Sequence, residues 1–190
     1  MFQWLKRKAE TRRIGHEIYE RIVAQARNPV FFSGLGVPDT MEGRFEMIVL
    51  HLGLVLDRLK TEGPPGQRLG QRLMEHLMTD MDDALRQIGI GDMGVPRRVK
   101  KTAAAFVERS RDYMEGLSLD GAKAGLSEDK LETALLRHVY GASDVVPATI
   151  YTPSAVKLAA YARRSHAHLA KVAPDDLFEG RGLFLAPSVA

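Results

Sequence analysis

Along most of the chain, apolar residues recur every three to four positions, the period of a helix packed on one side, and nowhere do they alternate convincingly as in a strand. The pattern predicts an all-α protein: a single helical bundle of about six main helices, with short helical turns and a docked C-terminal tail. The first helix is expected over 10–26, with Ile14, Ile18, Ile22 and Ala26 on one stripe. It stops at Asn28-Pro29, because proline restricts the residue before it and can open a new turn, here through Phe31 and Phe32.

A second helix is expected over 40–61, where Asp39 with Glu42 three residues on spells a capping box. Phe45, Ile48, Val49, Leu52, Val55, Leu56 and Leu59 form its main face. Met47, Leu50 and Leu54 form a second stripe on roughly the opposite side. The helix is therefore either central and covered on both sides, or it offers one side to a partner. In the second case Met47, Leu50 and Leu54, with Phe31 and Phe32, are candidate residues of an apolar docking groove. Glu46, His51 and Asp57 interrupt the run too often for a membrane span, which needs about 20 mostly apolar residues.

Gly63-Pro64-Pro65-Gly66 predicts a break, followed by a third helix over 67–88 with Leu73, Leu77, Met81, Leu85 and Ile88 inward. A fourth, over 96–116, turns Val99, Ala103, Phe106, Ser110 and Met114 inward and Arg97, Lys100, Lys101 and Arg111 largely away. Leu126-Ser127 opens a fifth, with Ser127 as cap and Leu126 stapled to Leu131, continuing through Leu135 and Val139. Thr152-Pro153 opens a sixth, over 152–172, with cap and first-turn proline in the expected order. The tail carries Leu177, Phe178, Leu183, Phe184 and Leu185, too apolar to float, and is expected to dock on the bundle. The organisation read from this is a basic N-terminal segment, 1–13, and one α-helical domain, 14–190. The echo of Gly36-Val37-Pro38 in Gly94-Val95-Pro96 is helix punctuation rather than a repeat.

Gly89-Ile90-Gly91-Asp92-Met93-Gly94 spells G-x-G-x-x-G, but dinucleotide binding requires a buried strand running into the glycine turn. The residues before Gly89 keep helical spacing and carry acidic side chains, so the stretch reads as a connection between two helices. Gly89 or Gly91 is placed to close the third helix in the left-handed conformation, and Pro96 to open the fourth. Arg97, Arg98, Lys100 and Lys101 then load a helix N-terminus, where the free N–H groups already disfavour cations. Either internal acids offset them (Asp92 as cap, or Asp82 and Asp83 across the hairpin), or an external anion does: RNA phosphate, lipid headgroup or a partner's carboxylates.

With 190 residues, 45% hydrophobic and 27% charged, the chain is long enough to bury a core without metal or disulfide staples. The absence of cysteine excludes thiolate metal sites and cysteine nucleophiles and suits a reducing compartment. A net charge of +3 is a mild bias toward anionic partners, and no DNA partner is expected. Phe2, Trp4 and Leu5 stand beside Lys6, Arg7, Lys8, Arg12 and Arg13 without the apolar core of a secretory signal. Phe2, Trp4, Lys6, Arg7 and Lys8 are candidate contacts to an anionic membrane surface, the alternative being a frayed, solvated terminus.

Catalytic candidates are few. Asp80-Met81-Asp82-Asp83 resembles the D-x-D-D acid motif of class II terpene cyclases, whose fold needs a chain several times longer. On a helix Asp82 and Asp83 point to solvent, Asp80 lies at the edge of the apolar stripe and pairs with His76 or a nearby cation, and all three are candidate partner contacts. No histidine lies in E-x-x-H spacing, and His166 and His168 point two ways, which disfavours a dimetal site. His51 and His76 stay open as haem ligands against the commoner reading of a satisfied polar histidine. Nucleophile elbows, Walker loops and zinc motifs are absent. No cofactor and no catalytic residue is expected; the chain reads as a binder.

The runs "QARNP", "GVPDT", "GRFEM", "DMDDALR" and "GVPRRVKK", in combination, resemble the ubiquinol–cytochrome c chaperone family, assembly factors for cytochrome b of the respiratory cytochrome bc complex. The resemblance covers roughly residues 19–170. It implies an α-helical, non-catalytic protein that binds newly made cytochrome b and helps it mature. Mitochondrial relatives work with a small assembly-factor partner near the ribosomal exit tunnel, so the ribosome and such a partner join the expected contacts. Without an Arg- and Ser-rich transit peptide, the chain resembles a bacterial member acting in the cytoplasm, peripheral at the inner face of the cytoplasmic membrane. A ribosome- or RNA-associated binding protein using the basic helix start is the alternative.

Overall fold

A computed structural model describes residues 2–87, 94–119, 129–141 and 151–187, with side chains from Arg13 onward except at Leu119. In chain order the helices are α1 (Phe2–Ala26), α2 (Pro29–Ser33), α3 (Met41–Lys60), α4 (Gly63–Gln87), α5 (Val95–Leu119), α6 (Lys130–His138), α7 (Thr152–Leu169) and α8 (Pro174–Glu179). Among the described residues there is no strand, so the expected all-α bundle is the fold. None of these helices is long and apolar enough to cross a membrane.

The bundle is organised around α3, which packs against α1, α4, α5 and α7. Every residue from Glu46 to Val55 is buried, as expected of a helix apolar on nearly all sides. Its faces can be assigned from their contacts. Glu46 meets Arg109 and Tyr113 of α5, His51 meets Tyr161 of α7, and Arg58 reaches the Leu169 carbonyl at the end of α7. Met47, Leu50 and Leu54 fall on the arc between the faces that meet α5 and α7.

This settles the choice left open by the second stripe. Phe31, Met47, Leu50 and Leu54 are each 0% exposed, so in this conformation they are core and form no open groove. Phe32 is half-buried against the same core.

Several boundaries differ from the sequence reading, each for a local reason. The first helix starts at Phe2, so it runs through the basic segment without a break. The cap of α3 is Thr40, whose hydroxyl accepts the Gly43 N–H at 3.1 Å, while Asp39 instead pairs with Arg44 at 2.7 Å. Pro64 and Pro65 sit in the first turn of α4, where a missing N–H costs nothing, so "GPPG" begins a helix rather than separating two. The cap of α6 is Asp129, which accepts the Glu132 N–H at 3.1 Å; Leu126 and Ser127 lie outside the described residues. Tyr151, not Thr152, precedes α7, and α7 ends at Leu169 rather than at 172.

The tail docks as expected. Leu177 and Leu183 are buried, and Phe178 and Phe184 pack on the core. Arg21 and Gln25 of α1 donate to the Gly180 and Leu185 carbonyls at 2.8 and 2.9 Å.

Gly43 shows why "GRFEM" begins with glycine. A Cβ there would lie 2.0 Å from the Pro38 carbonyl oxygen, a backbone atom that cannot swing aside. Alanine normally gains about 1 kcal/mol over glycine inside a helix. Here Gly43→Ala is expected to cost about 1–3 kcal/mol net through overpacking, read as a lower Tm in thermal unfolding.

Candidate functional site

Two polar groups stand inside the apolar run of α3, and both must find partners there. His51 is fully buried. Its Nδ1 lies 2.7 Å from the Met47 carbonyl, which only accepts, so Nδ1 carries the proton and donates. Nε2 then accepts from the Tyr161 hydroxyl at 2.9 Å, and the Tyr161 oxygen in turn accepts from Gln25 at 2.9 Å. Gln25 donates its other amide hydrogen to Leu185. One chain of hydrogen bonds thus joins α1, α3, α7 and the tail. Phe31, Tyr161 and Phe184 surround the imidazole with ring centroids 5.1, 5.7 and 5.5 Å away. Burial pushes the His51 pKa down to about 4, so it is neutral near pH 7. With both nitrogens engaged, His51 has no lone pair for haem.

Glu46 is 1% exposed. Its Oε1 lies 2.7 Å from Arg109 Nη1 and its Oε2 accepts from Tyr113 at 3.0 Å. Arg109 also stands 5.6 Å from the centre of the Phe45 ring, a cation–π contact that keeps the guanidinium over α3. Burial pushes the Glu46 carboxyl up to about 7, against the opposing pull of Arg109 and of the Tyr113 hydrogen bond.

The two groups act on stability with opposite sign. Between its ordinary value of 4.5 and about 7, Glu46 holds a proton in the folded state that the unfolded state releases, so its contribution is lost as pH rises. Between about 4 and its ordinary 6.5, His51 is neutral when folded and protonated when unfolded, so its contribution is gained as pH rises. From these two groups the wild type should show little slope between about pH 4.5 and 6.5. In urea unfolding at stepped pH, Glu46→Gln should gain stability with pH across that window and His51→Gln should lose it, each by up to about 1.4 kcal/mol per pH unit. Parallel slopes in the two variants would refute the opposition.

The acidic cluster is dispersed. Asp80 accepts from Tyr19 of α1 at 3.0 Å. Asp82 pairs with Arg86 one turn on, at 2.7 Å, and Asp83 is exposed. His76 stacks between Tyr19 and His16, with centroids 5.8 and 5.3 Å away. His166 and His168 diverge, to Asp57 and the Gly182 carbonyl respectively. Among the described residues, no group of three or more such side chains is placed to hold a metal ion. A cleft of about 250 Å³ beside His166 is lined by Asp57, Arg58, Thr61, Glu62 and Ala170, and its charges are matched internally, Arg58 with Glu62 and Asp57 with His166 and Lys60.

The signature motifs now separate by role. "QARNP" supplies Gln25 of the buried relay and Asn28, which caps α2 by accepting from Val30. "GVPDT" supplies the buried Val37 and the Thr40 cap. "GRFEM" supplies Gly43, Phe45, Glu46 and Met47, and "DMDDALR" supplies the Asp80 tie to α1. "GVPRRVKK" is different: Val95 is buried, whereas Arg97, Arg98, Lys100 and Lys101 are all exposed in the first turns of α5.

Among the described residues none of these four cations is ion-paired, and Asp82, one of the expected internal offsets, is taken by Arg86. Asp92 and the glycines Gly89 and Gly91 lie outside the described residues. Down the same outward face run the exposed Ala104, Val107 and Arg111, with Val107 63% exposed.

The sequence reading missed the Glu46 and His51 networks. Their signal was present as the polar interruptions of the α3 run: Glu46 was counted only against a membrane span, and His51 was weighed as a satisfied polar histidine or haem ligand without its partners.

The chain matches no curated protein. Among solved structures it is similar to one described as the Cbp3 homolog from Brucella abortus, with 33% identity over 97% of this chain and 96% of that one, and a TM-score of 0.80. Residues 33–184 match the family described as ubiquinol-cytochrome C chaperone, a span that takes in α3 and its Glu46 network, the basic start of α5, and α7. A match over that much of the chain, with a fold shared end to end, makes this protein a member of the ubiquinol-cytochrome C chaperone family.

Proposed function

We infer that this chain binds newly synthesised cytochrome b and promotes its maturation into the cytochrome bc complex, working by holding its client rather than by catalysis. The observation that carries the reading is the family match over residues 33–184, supported by the likeness to the Cbp3 homolog. The exposed run Arg97, Arg98, Lys100 and Lys101 is the contact surface for an anionic partner, since every other signature motif places residues in internal contacts. Asp82 and Asp83, on the exposed side of α4, border it in sequence across the α4–α5 connection. The first turns of α1, with Phe2, Trp4, Lys6, Arg7 and Lys8, are the proposed contact to an anionic membrane surface, which would keep the protein peripheral at the inner face of the cytoplasmic membrane.

The test is co-isolation. An affinity-tagged copy of the full chain should recover pulse-labelled cytochrome b from cells making the complex, and recovery should fade in a chase as the complex assembles. Failure to recover cytochrome b, with unrelated membrane proteins equally absent, would refute the reading. The alternative, an RNA- or ribosome-associated protein, draws on the same cations and predicts binding to ribosomal RNA that falls steeply with salt.

A further inference from the structure

Glu46 takes both of its side-chain partners, Arg109 and Tyr113, from one helix, α5. On the same stripe of α3, at intervals of three, four and seven residues, stand Val49, Leu50 and Gly53, all buried. At Gly53 the approach of α5 is tight: a Cβ there would lie 2.8 Å from Ser110 Oγ. The α3–α5 contact thus has a polar bolt at Glu46 and a small-residue contact at Gly53, and the buried Val49 and Leu50 lie between them along α3.

We propose that this face of α3 is a concealed client groove and that α5 is its cover. The occupant is an apolar helical segment carrying a hydrogen-bond donor, which displaces α5 and offers that donor to the Glu46 carboxylate in place of Arg109 and Tyr113. The proposal rests on the reading of this chain as a cytochrome b chaperone and adds where, and with what chemistry, the client binds.

Two observations point there. The large exposed apolar side chains of the described surface, Met41, Val107 and Val156, lie on three different helices, so among the described residues they form no single open apolar patch. A groove kept under α5 is protected from aggregation until a client arrives. Glu46 then selects among clients: an apolar segment with no donor would leave the Glu46 oxygens without a partner in a dry contact, which is disfavoured, whereas one with a donor replaces one satisfied arrangement by another. α5 itself lacks ion-pair reinforcement from described residues at its cation-loaded start.

A disulfide across the contact tests this. The Cβ position at Gly53 lies 3.6 Å from Ser110 Cβ, within the disulfide range of about 3.5–4.5 Å. The chain has no cysteine of its own, so Gly53→Cys with Ser110→Cys forms the only pair. Oxidised, this variant should recover at least about tenfold less pulse-labelled cytochrome b than wild type, and dithiothreitol should restore recovery. Equal recovery by the oxidised and reduced forms would overturn the groove and leave the chaperone function standing. A wild type that recovers none would overturn both.

A second measurement covers the case in which the paired thiols disturb folding. Met114→Cys places one thiol on the face of α5 that meets Gly53 and that displacement of α5 would uncover; the native side chain is 9% exposed. Maleimide should label it slowly in the free protein and at least about tenfold faster with newly made cytochrome b present. Equal rates would overturn the proposal.

Discussion

Reversal of Arg97, Arg98, Lys100 and Lys101 to glutamate is expected to leave the fold intact or firmer while cutting recovery of newly made cytochrome b by at least about tenfold. The expectation comes from the position of these residues. All four are exposed, and among the described residues none is held by an ion pair, so their loss removes no internal contact there. They sit at the positive end of α5, where a carboxylate is preferred to a cation, so the Tm should hold or rise. A variant as stable as wild type and unable to hold its client would locate function in this surface. A variant that unfolds would show that the cations are structural, and one with unchanged client recovery would free the surface from the role. Salt dependence gives a second readout, because an interaction through exposed charges weakens with ionic strength.

The opposite profile is expected for Leu54→Ala. Leu54 is 0% exposed in the arc of α3 between α5 and α7, and truncating a leucine in such a place costs about 2–5 kcal/mol once the cavity is counted. For a chain of this size each kcal/mol moves the Tm by about 2–4 °C, so a fall of roughly 5–15 °C in thermal unfolding is predicted. A Leu54→Ala protein that kept its Tm would contradict the burial and return this residue to a partner surface. Leu54→Ala and the charge-reversed variant therefore separate residues that build the fold from residues that meet a partner.

The fold was legible because most helices carry one apolar stripe and end on recognisable punctuation. Ile18 and Ile22, Leu73 and Leu77, and the apolar tail all went where their spacing put them. The ends of helices were less legible, since the residue that caps is chosen by a few ångströms of backbone path: Thr40 rather than Asp39 for α3, and Asp129, the residue just before it, for α6. The second stripe of α3 was readable as apolar but not as covered. Met47, Leu50 and Leu54 would show the same spacing in a groove or in a core, and only the arrival of α5 and α7 from distant parts of the chain decides between them. For the same reason Glu46 and His51 showed in sequence as interruptions, while their partners Arg109, Tyr113 and Tyr161 lie 63 to 110 positions further along the chain. The basic start of α5 was legible because it breaks a local rule, cations at a positive helix end, and the described structure supplies it with no ion-paired acid.

The most direct measurement of the account is the absorbance of haem-loaded cytochrome b in membranes of cells lacking this chain, compared with the same cells carrying it again. The account predicts a loss of cytochrome b and of assembled cytochrome bc complex, restored by the wild-type chain, with unrelated respiratory enzymes at normal levels. Cytochrome b at its normal level in the cells that lack the chain would contradict it.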